Sequence, residues 1–208
     1  MTPDEVRDLL FRARTRRDRQ REIGPSELGG CRRKVWHRIQ GTPTTNPGTE
    51  RLAASIGTAT HTWIESRLKS DKRFLLETAV TRDGMTGHVD CFDVERGMVI
   101  DWKTTKMSGL GYFPSDQYVN QVQVYGWLMS TKYEVRDVCI VAIPKDGTSR
   151  DIVTHVEPYS EAKALAALEW LQEIRGMGDA PRPEKPKKFC RDYCQFYDPT
   201  GVIGCAGL

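Results

Sequence analysis

The 208-residue sequence contains no apolar run approaching the roughly 18 residues needed to cross a bilayer, which excludes an ordinary membrane-spanning helix. Its opening, Met1-Thr2-Pro3-Asp4-Glu5-Val6, lacks the charged-then-apolar order of a secretory signal, so a cytoplasmic setting is the expectation. No Gly-x-x-x-x-Gly-Lys loop occurs, and with it goes any expectation of a strand-unwinding motor. Internal repeats and low-complexity tracts are absent as well. Six cysteines in a reducing compartment point away from a disulfide framework and towards metal ligands or buried thiols.

What is present is enough chain for one domain with a sizeable core. The net charge is only +3 but is unevenly spread. Arg12, Arg14, Arg16, Arg17, Arg19 and Arg21 crowd one segment, followed by Arg32, Arg33, Lys34 and Arg38. A second group, Arg182, Lys185, Lys187, Lys188 and Arg191, lies near the C-terminus. Clusters of one sign repel unless water or a polyanion compensates them, and nucleic acid is a partner of that kind. A solvated helical face or a disordered arm is the alternative for either cluster alone.

Residues 4–21 read as a charged helix that Gly24-Pro25 breaks. Ser26 reads as the N-cap of a short helix through about residue 39. A Thr- and Pro-rich loop leads to a helix over about 50–69, and three alternating strands fill 73–104. Gly109-Leu110-Gly111 is a flexible turn, and Pro114-Ser115 opens a helix to about 131. Residues 135–143 form a β-branched buried strand, with 151–157 as its antiparallel partner and an amphipathic helix over 160–176. Prolines 181, 183 and 186 make 178–208 an irregular tail that needs a clamp. The expected class is α/β, a single domain spanning 1–208 with its core at about 50–177.

The stretch with most chemistry is Gly87-His88-Val89-Asp90 followed eleven residues later by Asp101-Trp102-Lys103. Asp101 and Lys103 share one side of a strand, opposite Ile100 and Trp102. Two converging carboxylates repel each other unless a cation intervenes. Mg²⁺ or Mn²⁺ suits oxygen ligands and keeps several waters, so few protein ligands suffice. Such an ion polarises a phosphoryl oxygen and lowers the pKa of water, while a neighbouring lysine steadies developing charge. An isolated Asp-x-Lys is weak evidence, because exposed strands carry it by chance. His61 on the preceding helix, Glu77 on the preceding strand, and Gln121 with Tyr125 on one face of the following helix give it company.

Taken in order, His61, Gly87-x-x-Asp90, Asp101-Trp102-Lys103-Thr104 and Gln121-x-x-x-Tyr125 resemble the RecB-type branch of the PD-(D/E)xK nucleases. The opening Ser26-Glu27-Leu28-Gly29-Gly30-Cys31-Arg32-Arg33 is similar to that family's start, and the likeness spans about residues 24–205. The superfamily's eponymous proline is missing, since Val89 precedes Asp90, as it commonly is in this branch. The resemblance implies a restriction-endonuclease-like core, a mixed sheet flanked by helices. It implies that His61, Asp90, Asp101 and the main-chain carbonyl of Trp102 bind Mg²⁺ or Mn²⁺. Lys103 would then be catalytic, with Asp90 and Asp101, while Gln121 and Tyr125 line the site against DNA and Glu77 supports it.

Cys91 and Cys139 lie in apolar strands and read as inert core thiols. Cys190, Cys194 and Cys205 sit together, with Cys31 far upstream. Four thiolates can hold Zn²⁺ or an iron–sulfur cluster, and spacing alone favours zinc. One cysteine before the core and three after it resembles the iron–sulfur nucleases, including the AddB subunit and the CRISPR-associated exonucleases, and so implies a cluster, 4Fe-4S in type. The resulting expectation is a metal-dependent DNA exonuclease acting on single-stranded ends in recombination, repair or replication, phage-encoded in one version and so working in the host cytoplasm. Recombination or replication proteins are its expected company. The alternatives are a CRISPR spacer-acquisition nuclease, a non-catalytic iron–sulfur or zinc DNA-binding module, and a sequence-specific endonuclease on the same fold.

Overall fold

A computed structural model describes residues 23–47 and 52–208, together with 2, 3, 5 and 6. The helix expected over 4–21 and its arginine cluster lie outside the described residues. The described elements run α1 (Arg32–Ile39), α2 (Leu52–Leu68), β1 (Phe74–Arg82), β2 (Met85–Asp93), β3 (Met98–Thr105), α3 (Asp116–Met129), β4 (Asp137–Pro144), β5 (Val153–Pro158), α4 (Glu161–Arg175) and α5 (Lys187–Tyr193).

One five-stranded mixed sheet has the order β1-β2-β3-β4-β5. The first three strands form an antiparallel meander, β3 and β4 are parallel, and β5 returns antiparallel to β4. The parallel pair requires a crossover, which α3 supplies. Ser115 caps α3, its hydroxyl accepting the Tyr118 N–H, and the Phe113–Pro114 peptide just before it is cis. Every residue from Gln121 to Met129 is buried, so α3 is the central helix of the domain, touching the first four strands and α4. Its partner α4, capped by Ser160, buries Ala164, Ala167, Leu171 and Ile174, a stripe at helical spacing. Small alanines let the two helices approach closely, and Leu128, Leu171 and Ile174 fill the space between them and the sheet.

Three local expectations fail. Ser26 is not an N-cap: it lies inside the 3₁₀ turn Pro25–Glu27, and α1 starts only at Arg32. Gly29, at φ +78°, lies in the left-handed region and separates the turn from the helix. A side chain there would also collide with Asn120 of α3, at 2.4 Å from its Nδ2. The tail is not wholly irregular either, since Pro186 precedes the short helix α5. This region is tied to the N-terminal segment by polar links. Arg33 donates to the Pro181 carbonyl at 2.8 Å, the Arg32 N–H to Glu184 at 2.8 Å, and Asn46 Nδ2 to the Arg191 and Cys194 carbonyls. The flexible turn at 109–111 is an ordered 3₁₀ segment, Met107–Tyr112. Among the described residues, no helix is long and apolar enough to cross a membrane.

Candidate active site

The site forms where β2 and β3 part. Their ladder ends at Cys91↔Ile100, and one residue further the Asp90 carboxylate accepts the Trp102 N–H at 3.0 Å, so a side chain takes over from the main chain. Strict alternation would place Val89 and Phe92 on opposite faces, yet both belong to the same core, so β2 rotates between them. Directly across on β1, between the Leu76↔Cys91 and Thr78↔Val89 pairs, Glu77 has φ +44°. A non-glycine residue there costs about 1–3 kcal/mol, and such strain gathers at sites with a function.

Into this gap α2 brings His61. Its Nε2 lies 2.9 Å from the Trp102 carbonyl oxygen and its Nδ1 3.5 Å from Asp90 Oδ2. The hydrogen bond to Asp90 raises the pKa of His61, against burial. His61, Glu77 and Asp90 each present a ligand atom, all within 4.8 Å of one another. Sequence reading gave Glu77 only a supporting place. The structure sets it with His61 and Asp90, and the signal was its position opposite Asp90 in the hairpin register.

Asp101 sits deeper, fully buried. Its Oδ2 is 2.8 Å from Lys103 Nζ, an ion pair, but neither carboxylate oxygen meets a well-aligned hydrogen-bond donor. Burial pushes this carboxyl up to about 6; Lys103 pulls it down and Asp90 adds to the rise. A buried, under-satisfied carboxylate facing other acids is costly unless a cation is bound. The donor set therefore fits Mg²⁺ or Mn²⁺: carboxylates and one imidazole, with the Trp102 carbonyl beside them.

Lys103 is held from the far side by α3. Its ammonium donates to Gln121 Oε1 at 2.8 Å and lies 5.0 Å from the Tyr118 ring centroid. Gln121 in turn donates to the Tyr125 hydroxyl at 3.0 Å. Burial, then the charges of Asp101 and Asp90, keep Tyr125 protonated by raising its pKa. Gln121 and Tyr125 thus stand behind Lys103, both buried, as a rack that fixes one long cation. Gly87 makes room for the rack: a Cβ there would lie 2.7 Å from Leu128 Cδ1 and 3.0 Å from Tyr125 Cε1.

The second constellation is the cysteines. All six are unpaired thiols. Cys91 and Cys139 are buried in the sheet, and burial raises their pKa values to about 12 and about 11, as inert thiols require. Cys190, Cys194 and Cys205 are buried together around Phe196, and Cys31 lies within electrostatic reach of Cys190 and Cys194. Burial, followed by the other three thiols, pushes Cys190 up to about 11. No three of these sulfurs lie within 4.8 Å of one another, whereas four thiolates on one zinc would sit about 3.8 Å apart.

The fold is shared with known structures. The crystal structure of SSO0001 superposes with a TM-score of 0.59 at 21% identity, covering 99% of this chain and 94% of that one. An alkaline exonuclease from Laribacter hongkongensis superposes with a TM-score of 0.51 at 12% identity, over 76% of this chain and 88% of its own. No protein-family model matches the sequence, and no curated protein matches it. The likeness establishes an α/β fold of the alkaline-exonuclease kind, a five-stranded mixed sheet flanked by helices, consistent with a restriction-endonuclease-like core.

Proposed function

We propose that this protein is a Mg²⁺- or Mn²⁺-dependent deoxyribonuclease that removes nucleotides from single-stranded DNA ends. The observation that carries this reading is the meeting of His61, Glu77 and Asp90 at the parting of β2 and β3, with the Asp101–Lys103 ion pair within reach of their charges, in a fold shared with an alkaline exonuclease.

His61, Asp90 and Asp101 would hold the cation, with Glu77 and the Trp102 carbonyl as further donors. Such an ion, when bound, supplies Lewis acidity towards a phosphoryl oxygen and makes water a nucleophile near neutral pH. Lys103 then lies beside the reacting phosphate and donates hydrogen bonds as negative charge develops on its oxygens. Asp101 pairs with Lys103, and Gln121 and Tyr125 fix its direction, so little reorganisation is needed when charge appears.

Cys31, Cys190, Cys194 and Cys205 would hold an iron–sulfur cluster, 4Fe-4S in type, with zinc as the other occupant. Its role in this reading is structural: it clamps α5, which carries Lys187 and Lys188, and the tail to α1, which carries Arg32 and Arg33. Together with those cations it favours a strand of DNA as the partner.

The test uses linear and circular single-stranded DNA with Mn²⁺, Mg²⁺ or chelator. The reading expects mononucleotides or short products from linear DNA only, and none with chelator. Cutting of circles at the same rate would replace the exonuclease with an endonuclease, and metal-independent cutting would overturn the site.

A further inference from the structure

Beside the cysteines lies a cavity of about 480 Å³ between α1, the start of α3 and α5. Its buried end is thiol, and its exposed end is of another chemistry. Phe189 and Tyr193, four apart on α5, touch with their rings tilted by 39° and centroids 5.1 Å apart, and each is half exposed (49%). Lys34 and Lys185 line the same cavity, and Gln117 faces them from α3, its amide donating to the Ser26 carbonyl at 2.6 Å. Two large rings left to water next to ammonium groups are unfavourable for a free surface and well suited to a planar, anionic ligand.

Gln117 also ties this cavity to the candidate active site. It lies one helical turn, about 6 Å, before Gln121, which holds Lys103. A strand whose scissile phosphate sits at Lys103 would carry its next nucleotides past the half-exposed start of α3, at Gln117.

We propose that this cavity is a single-stranded DNA subsite, in which a base stacks on the Phe189–Tyr193 pair and flanking phosphates meet Lys34 and Lys185. The proposal rests on the nuclease reading and names where that substrate is held. Stacking tolerates any base, so the subsite grips a strand without reading its sequence. A duplex, whose bases are already stacked, cannot present a base face to it.

The experiment measures binding of a short fluorescein-labelled oligothymidylate to the full chain in chelator, where nothing is cut. Phe189→Ala and Tyr193→Ala are each expected to weaken binding about tenfold. Phe189→Leu and Tyr193→Leu, which keep apolar bulk without a ring, should bind as poorly as the alanine variants, with unchanged melting and iron content. Lys185→Gln should flatten the dependence of log affinity on log salt by about 0.7. A double alanine variant that binds within twofold of the wild type, or a wild type that binds no oligomer, overturns the subsite. A wild type that binds but never cuts with Mn²⁺ overturns the reaction while the subsite stands. A wild type that cuts, with a double variant that binds equally well, does the reverse.

Discussion

His61 Nε2 lies 2.9 Å from the main-chain carbonyl oxygen of Trp102, so α2 is pinned across the gap between β2 and β3 by an atom that a cation in that gap would share. A cation held there would take the ring and the carbonyl as neighbouring donors. Replacing His61 with alanine removes a donor and frees the helix at once. Mn²⁺ affinity, measured by titration calorimetry, should fall by more than the roughly 10–100-fold that loss of a supporting group costs. Unchanged affinity would remove His61 from the site.

Gly87 packs against Tyr125 and Leu128 with no space for a methyl group. Gly87→Ala should destabilise the protein by about 1–3 kcal/mol, the range for overpacking a filled core. Because Tyr125 supports Gln121, and Gln121 holds Lys103, cleavage should suffer more than stability explains. Denaturant melts and cleavage rates on the same preparation check both.

Much of this was legible beforehand. The alternation of β1 to β3, the β-branched run of β4 and the capped helices α3 and α4 are local patterns, and they formed within a few residues of where the sequence placed them. His61 and Asp90 meet, together with Glu77, and Asp101 pairs with Lys103. Four features were hidden because they depend on contacts far apart in the chain. The rotation of β2 at Asp90 and the left-handed Glu77 break the alternation that a reader of strands relies on. Gly87 read as a motif letter, and only the neighbouring helix explains it. Phe189 and Tyr193 sit in a proline-rich tail that looked irregular until α1 and Asn46 were seen holding it.

Asp93 anchors the β2–β3 turn, and with it the offset between Asp90 and Asp101. Its buried carboxylate pairs with Arg73, at 2.9 Å from Nε, and accepts the Glu95 and Arg96 N–H groups. The Arg73 guanidinium, then the backbone donors, hold its pKa below the usual carboxylate value. The sign follows: the stabilisation is complete above the unfolded value, about 3.9, and is lost as pH falls through the lower folded value. Asp93→Asn should cost about 2 kcal/mol at pH 7, since Arg73 stays partly hydrated. That gap should close on acidification below about pH 4, read from melting curves across pH.

The cysteines make a separate prediction. Protein purified without oxygen should contain iron and acid-labile sulfide. Cys205→Ser should lose both and leave residues 178–208 open to limited proteolysis, since the tail would lack its clamp. Stoichiometric zinc with no iron would replace the cluster with a single ion.

Asp101, buried without a well-aligned donor and paired to Lys103, is the centre of the candidate site. The direct measurement is the rate at which wild type, Asp101→Asn and Lys103→Met degrade end-labelled single-stranded DNA in Mn²⁺. Each substitution should lower the rate by at least about 100-fold, the scale for removing one transition-state donor. Folding should persist by circular dichroism, and Lys103→Met should retain Mn²⁺ binding. Either folded variant digesting DNA at the wild-type rate would contradict the site.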